Sequence, residues 1–271
     1  MSGRPYAEVI GDPIAHSKSP LIHNFWLAKL GIDAEYRACH VRPDELADYF
    51  ARRRGDAGWR GCNVTIPHKV SAMEHVRVRK GTRMMVGAIN TVVRAPDSRL
   101  DGANTDIGGV VRPLVSIGVS GGAMAVVGAG GAARAAVAAS MILGIETLYV
   151  LNRTEAKARD FLASLRPEGI VLPLESTIPP VDVLVNASVL GMSGQPSLDL
   201  SLDAIPCEAI VFDMVYAPLE TALLANARQR GLRTIDGLEM LVAQAAEAFE
   251  MFFGQPAPRE HDAELRALLT A

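Results

Sequence analysis

Ala125-Val126-Val127-Gly128-Ala129-Gly130-Gly131-Ala132-Ala133-Arg134 joins a short apolar run to a long helical pattern through a glycine-rich turn. The stretch satisfies GxGxxA. The first glycine permits a tight turn, the second lets backbone approach a pyrophosphate, and the small third position lets the helix sit close to the strand. Free N–H groups and the positive dipole end of that helix then favour an anion. A glycine motif alone is weak, so its flanks decide. From about residue 123 to 237, apolar runs (AMAVVG, ETLYVLN, GIVLPL, DVLVNAS, AIVFDMVY, RTIDG) are interspersed with helical patterns. Such alternation predicts a mostly parallel, doubly wound sheet covered by helices. Residues 106–237 are therefore expected to form a Rossmann dinucleotide-binding domain, with Gly128, Gly130, Gly131 and Ala132 as cofactor-binding residues.

The next strand ends in Asn152-Arg153-Thr154 instead of the acidic residue that would hold a bare ribose 2′-hydroxyl. A guanidinium suits bidentate contact with phosphate oxygens, so Arg153, flanked by Asn152 and Thr154, argues for NADP. Glu155 is open to two readings: it orients Arg153, or it faces the ribose itself.

Residues 1–105 mix strands and helices, with strands expected at AEVIG, AEYRACHV and GCNVTIP and a hairpin in NTVVRAPDSRLDGANTD, where Pro96-Asp97-Ser98 supplies turn chemistry. Ser19 followed by Pro20 reads as N-cap and first helical residue of SPLIHNFWLAKLG, which Gly31 closes. Beyond 237, Leu238, Leu241, Ala245, Ala248, Phe249 and Phe252 recur at helical spacing and read as core packing. The fold class is thus α/β: an N-terminal α/β domain, a doubly wound domain, and C-terminal helices, 238–271, that return to complete the first. A helix, not a flexible tether, is expected at the junction near 104–120.

Within the N-terminal domain, Gly61-Cys62-Asn63-Val64-Thr65-Ile66-Pro67-His68-Lys69 places polar groups and one amine in a strand-like run. Alternation puts Asn63 and Thr65 on one face and Cys62, Val64 and Ile66 on the other. Two neutral hydrogen-bonding groups leading to a cation suit hydroxyls beside a carbonyl, although a solvent-facing sheet surface would show the same residues.

Composition narrows the class. The chain has 271 residues, 49% of them hydrophobic, enough to bury real cores, and a net charge of −3 gives no electrostatic case for nucleic acid or an anionic membrane. Cys39, Cys62 and Cys207 are widely spaced without CxxC pairing, which points to neither a disulfide framework nor a zinc site and fits a reducing compartment. The start, MSGRPYAEVIG, has no secretory h-region, and the apolar region at 123–145 is broken by Arg134 and glycines. Cytoplasmic localisation is expected, with a small-molecule substrate as partner and a monomer or homodimer as the assembly.

Gly11-Asp12-Pro13-Ile14-Ala15-His16-Ser17-Lys18-Ser19-Pro20 carries two serines at the mouth of a strand-to-helix turn. Together with GCNVTIPHK, GAINTV (87–92), GANTD (102–106), GAGGAAR, NRT, NASVLGM (186–192) and GLEMLVAQAAEAF (237–249), in this order, it closely resembles the shikimate dehydrogenase family over nearly the whole chain. The resemblance implies reversible NADPH-dependent reduction of 3-dehydroshikimate to shikimate, in the shikimate pathway of aromatic amino acid biosynthesis. By motif, Ser17 and Ser19 match residues that hold the substrate carboxylate. Asn63, Thr65, Asn90 and Gln244 match contacts to the ring substituents, and Tyr216 a further substrate contact. Lys69 and Asp106 match the catalytic pair, and Gly237 lies where the family approaches the nicotinamide end.

Such a pair suits the chemistry. Hydride arriving at a ketone leaves negative charge on oxygen, which an ammonium can stabilise while a positioned acid delivers the proton. Which of Lys69 and Asp106 is the immediate donor stays open, and Asp106 also reads as an N-cap. His68, the rival acid, falls on the core side if the strand register continues, and a supporting role is expected of it. His16 and His23 are expected to orient the serine turn, and His40, His75 and His261 have no visible partners. The basic connection EHVRVRKGTRMMVGA, Ala103 and Ser188 depart from the family pattern and leave quinate open as a substrate. The competing readings are a quinate/shikimate dehydrogenase with an oxidative role and a nucleotide-dependent sensor that keeps the fold without chemistry.

Overall fold

The computed structural model describes residues 4–271, apart from the side chain of Arg83. The first three residues of the stretch read as lacking an export signal lie outside the described residues. The strands are β1 (Tyr6–Gly11), β2 (Glu35–His40), β3 (Trp59–Val64), β4 (Arg77–Val78), β5 (Thr91–Arg94) and β6 (Leu100–Ala103). They continue with β7 (Ala123–Val127), β8 (Thr147–Asn152), β9 (Ile170–Pro173), β10 (Val183–Asn186), β11 (Ile210–Asp213) and β12 (Arg233–Ile235). The helices are α1 (Ser19–Leu30), α2 (Leu46–Arg54), α3 (Lys80–Met85), α4 (Asp106–Ser116) and α5 (Gly131–Ile142). They end with α6 (Glu155–Ala163), α7 (Ala222–Gln229), α8 (Gly237–Phe253) and α9 (Asp262–Thr270). The chain divides into two compact units, one running to Thr105 and resuming over Gln244–Ala271, the other Asp106–Ala243.

In the first unit, six strands form one sheet in the order β2-β1-β3-β5-β6-β4. β1 lies between β2 and β3, parallel to both, and β5 and β6 form the expected antiparallel hairpin. Ser98 takes the left-handed conformation at its tip, with φ 63°. Helix α8 packs closely on β3, because a Cβ on Gly61 would lie 2.4 Å from Val92 O and 2.6 Å from the Phe252 ring. Trp26, Phe50 and Trp59 are fully buried. Each such side chain contributes roughly 1.5–3 kcal/mol of burial. Glu8, 1% exposed in the middle of β1, keeps its charge partnered: Arg53 donates to both its oxygens at 2.8 and 2.9 Å, Tyr49 at 2.7 Å and Arg37 at 3.1 Å.

Two local expectations need correction. Strand β3 ends at Val64: Thr65 N–H makes the last bond to β1, on Ile10 O, and His68 N–H then closes a turn on Thr65 O. Ile66 is consequently 67% exposed and not a core residue. Helix α1 begins one residue earlier than expected: Ser19 is its first residue, Lys18 occupies the cap position, and Ser17 Oγ accepts from Ser19 N–H at 3.3 Å. Gly31 closes the helix in the left-handed conformation, φ 63°, as expected.

The second unit is a six-stranded sheet, parallel throughout, in the order β12-β11-β10-β7-β8-β9. The first strand of the unit, β7, is central, and the chain runs outward from it on both sides, which is the doubly wound pattern. Both faces are covered, so β7, β10 and β11 are near-continuous apolar runs buried end to end, apart from the first residue of β7. Ala133 and Ala135–Ala139 of α5 are fully buried against this sheet. The junction is helical, as expected, with Asp106 the first residue of α4. Among the described residues, no helix is long and apolar enough to cross a membrane.

Candidate active site

In the first unit, the turns that follow two parallel strands are laced together by backbone. Asp12 N–H, after β1, donates to Ile66 O at 3.0 Å, and Thr65 N–H, after β3, donates to Ile10 O at 2.9 Å. Gly11 makes this approach possible, since a Cβ there would lie 2.6 Å from Thr65 Cγ2 and 2.9 Å from Ile66 O. The serine turn and the Thr65–Lys69 turn thus share one edge of the sheet. Ser17 is half-buried and Ser19 buried, while His16 is exposed. Lys69, half-buried, accepts on its backbone oxygen from Ile89 N–H at 2.8 Å, which ties it to the segment leading into Asn90.

Beside these turns lies a buried row of amides and hydroxyls. Asn63 Nδ2 donates to Thr91 Oγ1 at 3.0 Å and to Asn90 O at 3.3 Å. Asn90 Oδ1 accepts from Thr105 N–H at 2.7 Å and from Thr91 Oγ1 at 3.1 Å, while its Nδ2 donates to Thr105 Oγ1 at 2.9 Å and Gln244 Oε1 at 3.4 Å. The structure therefore brings Asn63, Asn90 and Gln244 into one network, though 154 residues separate the last two. Thr91 and Thr105, both fully buried, are members that sequence reasoning passed over, although each sits beside a named residue in the GAINTV and GANTD motifs. Tyr36, which donates to Asn63 Oδ1 at 2.6 Å, carried no such signal.

The histidines sort by burial. His68 is 1% exposed and its Nε2 meets Val41 O at 2.7 Å, so it holds the turn in place, the supporting role expected of it. His23 does not orient the serine turn: it is fully buried, neither ring nitrogen has a hydrogen-bond partner among the described residues, and burial lowers its pKa to about 3. His40 does have a partner, Asp12 Oδ1 at 2.7 Å.

In the second unit, Gly128 takes φ +107°, and a Cβ there would press on Ala187 O at 3.1 Å. Its N–H donates to Leu151 O at 2.8 Å, so the glycine turn lies between the ends of β8 and β10, where the strand order reverses. Gly130 is different. Its φ of −106° suits any residue and a Cβ would meet nothing within 4 Å among the described residues, so none of their atoms requires a glycine there. Open space above a helix N-terminus fits a nucleotide pyrophosphate. Gly131 and Ala132 form the first turn of α5. At the end of β8, Arg153 and Thr154 are exposed and Asn152 Nδ2 donates to Thr154 O at 2.7 Å. Glu155 pairs with Arg159 at 3.1 Å.

At the ends of β10 and β11, Asn186 Nδ2 donates to Asp213 Oδ1 at 2.9 Å, and Asp213 Oδ2 accepts from Thr221 Oγ1 at 2.6 Å. Burial raises the Asp213 carboxyl above its ordinary value against the pull of these bonds and one from Val215 N–H. Ser188 Oγ donates to Asn186 Oδ1 at 2.7 Å. Asp213 thereby anchors the loop that carries half-buried Tyr216, whose pKa burial raises. Gly237 packs on this loop, where a Cβ would lie 2.5 Å from Val215 O. Asp106 is 5% exposed. Among the described residues no cluster of three or more His, Cys, Asp or Glu is arranged to hold a metal ion.

The family model of the shikimate dehydrogenase substrate binding domain matches residues 9–92, and that of the shikimate 5′-dehydrogenase C-terminal domain matches residues 237–264. A shikimate dehydrogenase (NADP(+)) of Sphingopyxis alaskensis is 55% identical over 98% of this chain and 97% of its own. One from Methylobacterium radiotolerans is 46% identical over 94% and 93%. The crystal structure of shikimate 5-dehydrogenase from Thermus thermophilus, in complex with NADP(H) and shikimate, superposes with a TM-score of 0.86 at 33% identity, over 98% of this chain and 99% of that one. With a full-length relative at this identity and its two-sheet architecture shared with a solved member, this chain belongs to the shikimate dehydrogenase family.

Proposed function

We propose that the chain is an NADP-dependent shikimate dehydrogenase that reversibly reduces 3-dehydroshikimate to shikimate. The observation that carries this reading is the coexistence in one chain of a buried amide row fit for a polyol, Asn63–Asn90–Gln244, and a glycine turn whose second glycine faces open space. When bound, NADPH supplies the hydride. Gly128, Gly130, Gly131 and Ala132 would hold its pyrophosphate, Asn152, Arg153 and Thr154 its adenosine end, and Gly237 would border the nicotinamide.

The substrate side rests on this chain's own groups. Ser17 and Ser19, on the turn that opens α1, would hold the carboxylate with hydroxyl and backbone donors. Asn63, Thr65, Asn90 and Gln244 would read the ring hydroxyls, with Tyr216 as a further contact. Lys69 as an ammonium would stabilise negative charge growing on the ketone oxygen and, with Asp106, supply the proton that makes the alcohol. In the reverse direction the same pair would take that proton from the hydroxyl. Residues up to 105, completed by 238–271, would then be the substrate domain and 106–237 the nucleotide domain. The three free cysteines suit a cytoplasmic enzyme, a monomer or a homodimer.

Steady-state assays of shikimate and quinate, each with NADP+ and NAD+, test the proposal. Shikimate with NADP+ is expected to give the highest kcat/KM. Absence of turnover with shikimate, or a higher kcat/KM for quinate, would overturn it.

A further inference from the structure

The buried amide row has a direction. A backbone carbonyl can only accept, so the 3.3 Å contact between Asn63 and Asn90 O fixes which end of the Asn63 amide is Nδ2. A backbone N–H can only donate, so the 2.7 Å contact of Thr105 N with Asn90 fixes Oδ1 of that amide in turn. Between these anchors the Thr91 hydroxyl receives a bond from Asn63 Nδ2 and meets Asn90 Oδ1 at 3.1 Å, nearer than its other neighbour, Thr105 Oγ1 at 3.3 Å. The row therefore runs from Asn63 through Thr91 and Asn90 to Thr105 and the Oε1 atom of Gln244.

At its head stands Tyr36, on edge strand β2, 1% exposed and 2.6 Å from Asn63 Oδ1. Since that oxygen is an acceptor, the phenol must donate. Burial raises the Tyr36 pKa well above its ordinary value, so the O–H persists through the physiological range. The residue is held at both ring and backbone. His23 of α1 stacks on it at 4.0 Å with planes 4° apart, and the neighbouring Asn24 side chain clasps the Tyr36 backbone with bonds of 2.6 and 2.9 Å. Helix α1 also carries the serine turn at its start, so one rigid element orients both the serines and, through Tyr36, the amides.

We propose that Tyr36 is a positioning residue for substrate recognition: its hydroxyl holds in place the Asn63 amide, whose sense the backbone sets, and through Thr91 steadies the Asn90 amide, both of which would read the polyol. This rests on the reading of those amides as substrate contacts. The phenol is assigned no contact with substrate; it holds an amide that backbone groups have already oriented.

Tyr36→Phe removes one hydroxyl and keeps the ring stacked on His23. Its shikimate KM is expected to rise about 5- to 30-fold, the size of one buried hydrogen bond, with NADP+ KM unchanged. Thr91→Val, which breaks the row at its middle, should give the same selective rise, and the double variant no more than the larger single one. A shikimate KM within twofold of wild type in both variants, equal rises for shikimate and NADP+, or additive effects would overturn the proposal. Asn63→Ala separates positioning from contact. If it raises the shikimate KM while Tyr36→Phe and Thr91→Val do not, only the positioning role fails; if it leaves that KM unchanged, the reading of the amides as contacts fails and the role with it.

Discussion

His23 lies flat against Tyr36, ring centroids 4.0 Å apart and planes within 4°, and both its ring nitrogens are buried without a hydrogen-bond partner among the described residues. Burial holds its pKa near 3, below the ordinary 6.5 that the unfolded chain would show. Between these values the unfolded state binds the extra proton, so this contribution to stability is present above pH 6.5 and is lost as pH falls toward 3. At pH 5 the loss is about 2 kcal/mol relative to pH 7.5. His23→Phe keeps an aromatic on Tyr36 and removes the titrating group. Urea unfolding at the two pH values should show wild type losing about 2 kcal/mol more than the variant; equal losses would refute this.

The two glycines Gly61 and Gly130 should answer differently to alanine. A Cβ at Gly61 would strike backbone, Val92 O at 2.4 Å, and the Phe252 ring, whereas one at Gly130 meets nothing. Overpacking of the first kind costs about 1–3 kcal/mol or more. Gly61→Ala should therefore lower the melting midpoint by several degrees at least. Gly130→Ala should leave it close to wild type while weakening NADP+ binding, which titration calorimetry can read. Full NADP+ affinity in Gly130→Ala would deny the open space its assigned occupant.

How much of this was legible in sequence depends on how local the cause is. The strands of the second unit declare themselves because a parallel sheet buried on both faces leaves apolar runs such as VLVN and IVFD between helices. The hairpin is written in its own turn residues. Strand β4 is not, since Arg77–Val78 is two residues long and is defined only by its pairing with Asp101 and Gly102 of β6. Ile66 misled because alternation cannot see that the chain turns at Thr65, whose oxygen accepts from His68 N–H. Glu8 sits in an apolar run, and the guanidiniums that let it be buried come from β2 and α2. The serines, amides and glycines of the candidate site stand in motifs and were readable there. Tyr36 stands in a half-exposed strand, and its partner is 27 residues away.

Arg153 tests the choice of cofactor. It is exposed at the end of β8, and the nearest acidic residue in sequence, Glu155, is engaged with Arg159 at 3.1 Å. A charge-assisted bond to a 2′-phosphate contributes about 1.5–3 kcal/mol, or roughly 10- to 150-fold in binding. Arg153→Ala should lower kcat/KM for NADP+ by about that factor and leave NAD+ nearly unaffected. An equal fall with both nucleotides would place Arg153 elsewhere than at the 2′-phosphate.

Lys69 carries the sharpest expectation. The turn that holds it is fixed at both ends, by Thr65 N–H on Ile10 O and by Ile89 N–H on Lys69 O, and His68 beneath it is locked to Val41 O. Truncating the side chain should therefore leave the turn standing and remove only the amine. Loss of a group that stabilises charge at the reacting oxygen costs about 10²- to 10³-fold in rate. Lys69→Ala should lose that much kcat while its NADP+ dissociation constant stays at the wild-type value, because the glycine turn and Arg153 belong to the other unit. The pH profile separates the amine's role from mere packing: Lys69→Met, matched in length but uncharged, should be as inactive as the alanine variant at every pH. If Lys69→Met instead turned over at near wild-type rate, the charge would be irrelevant and the proton would have to come from another group.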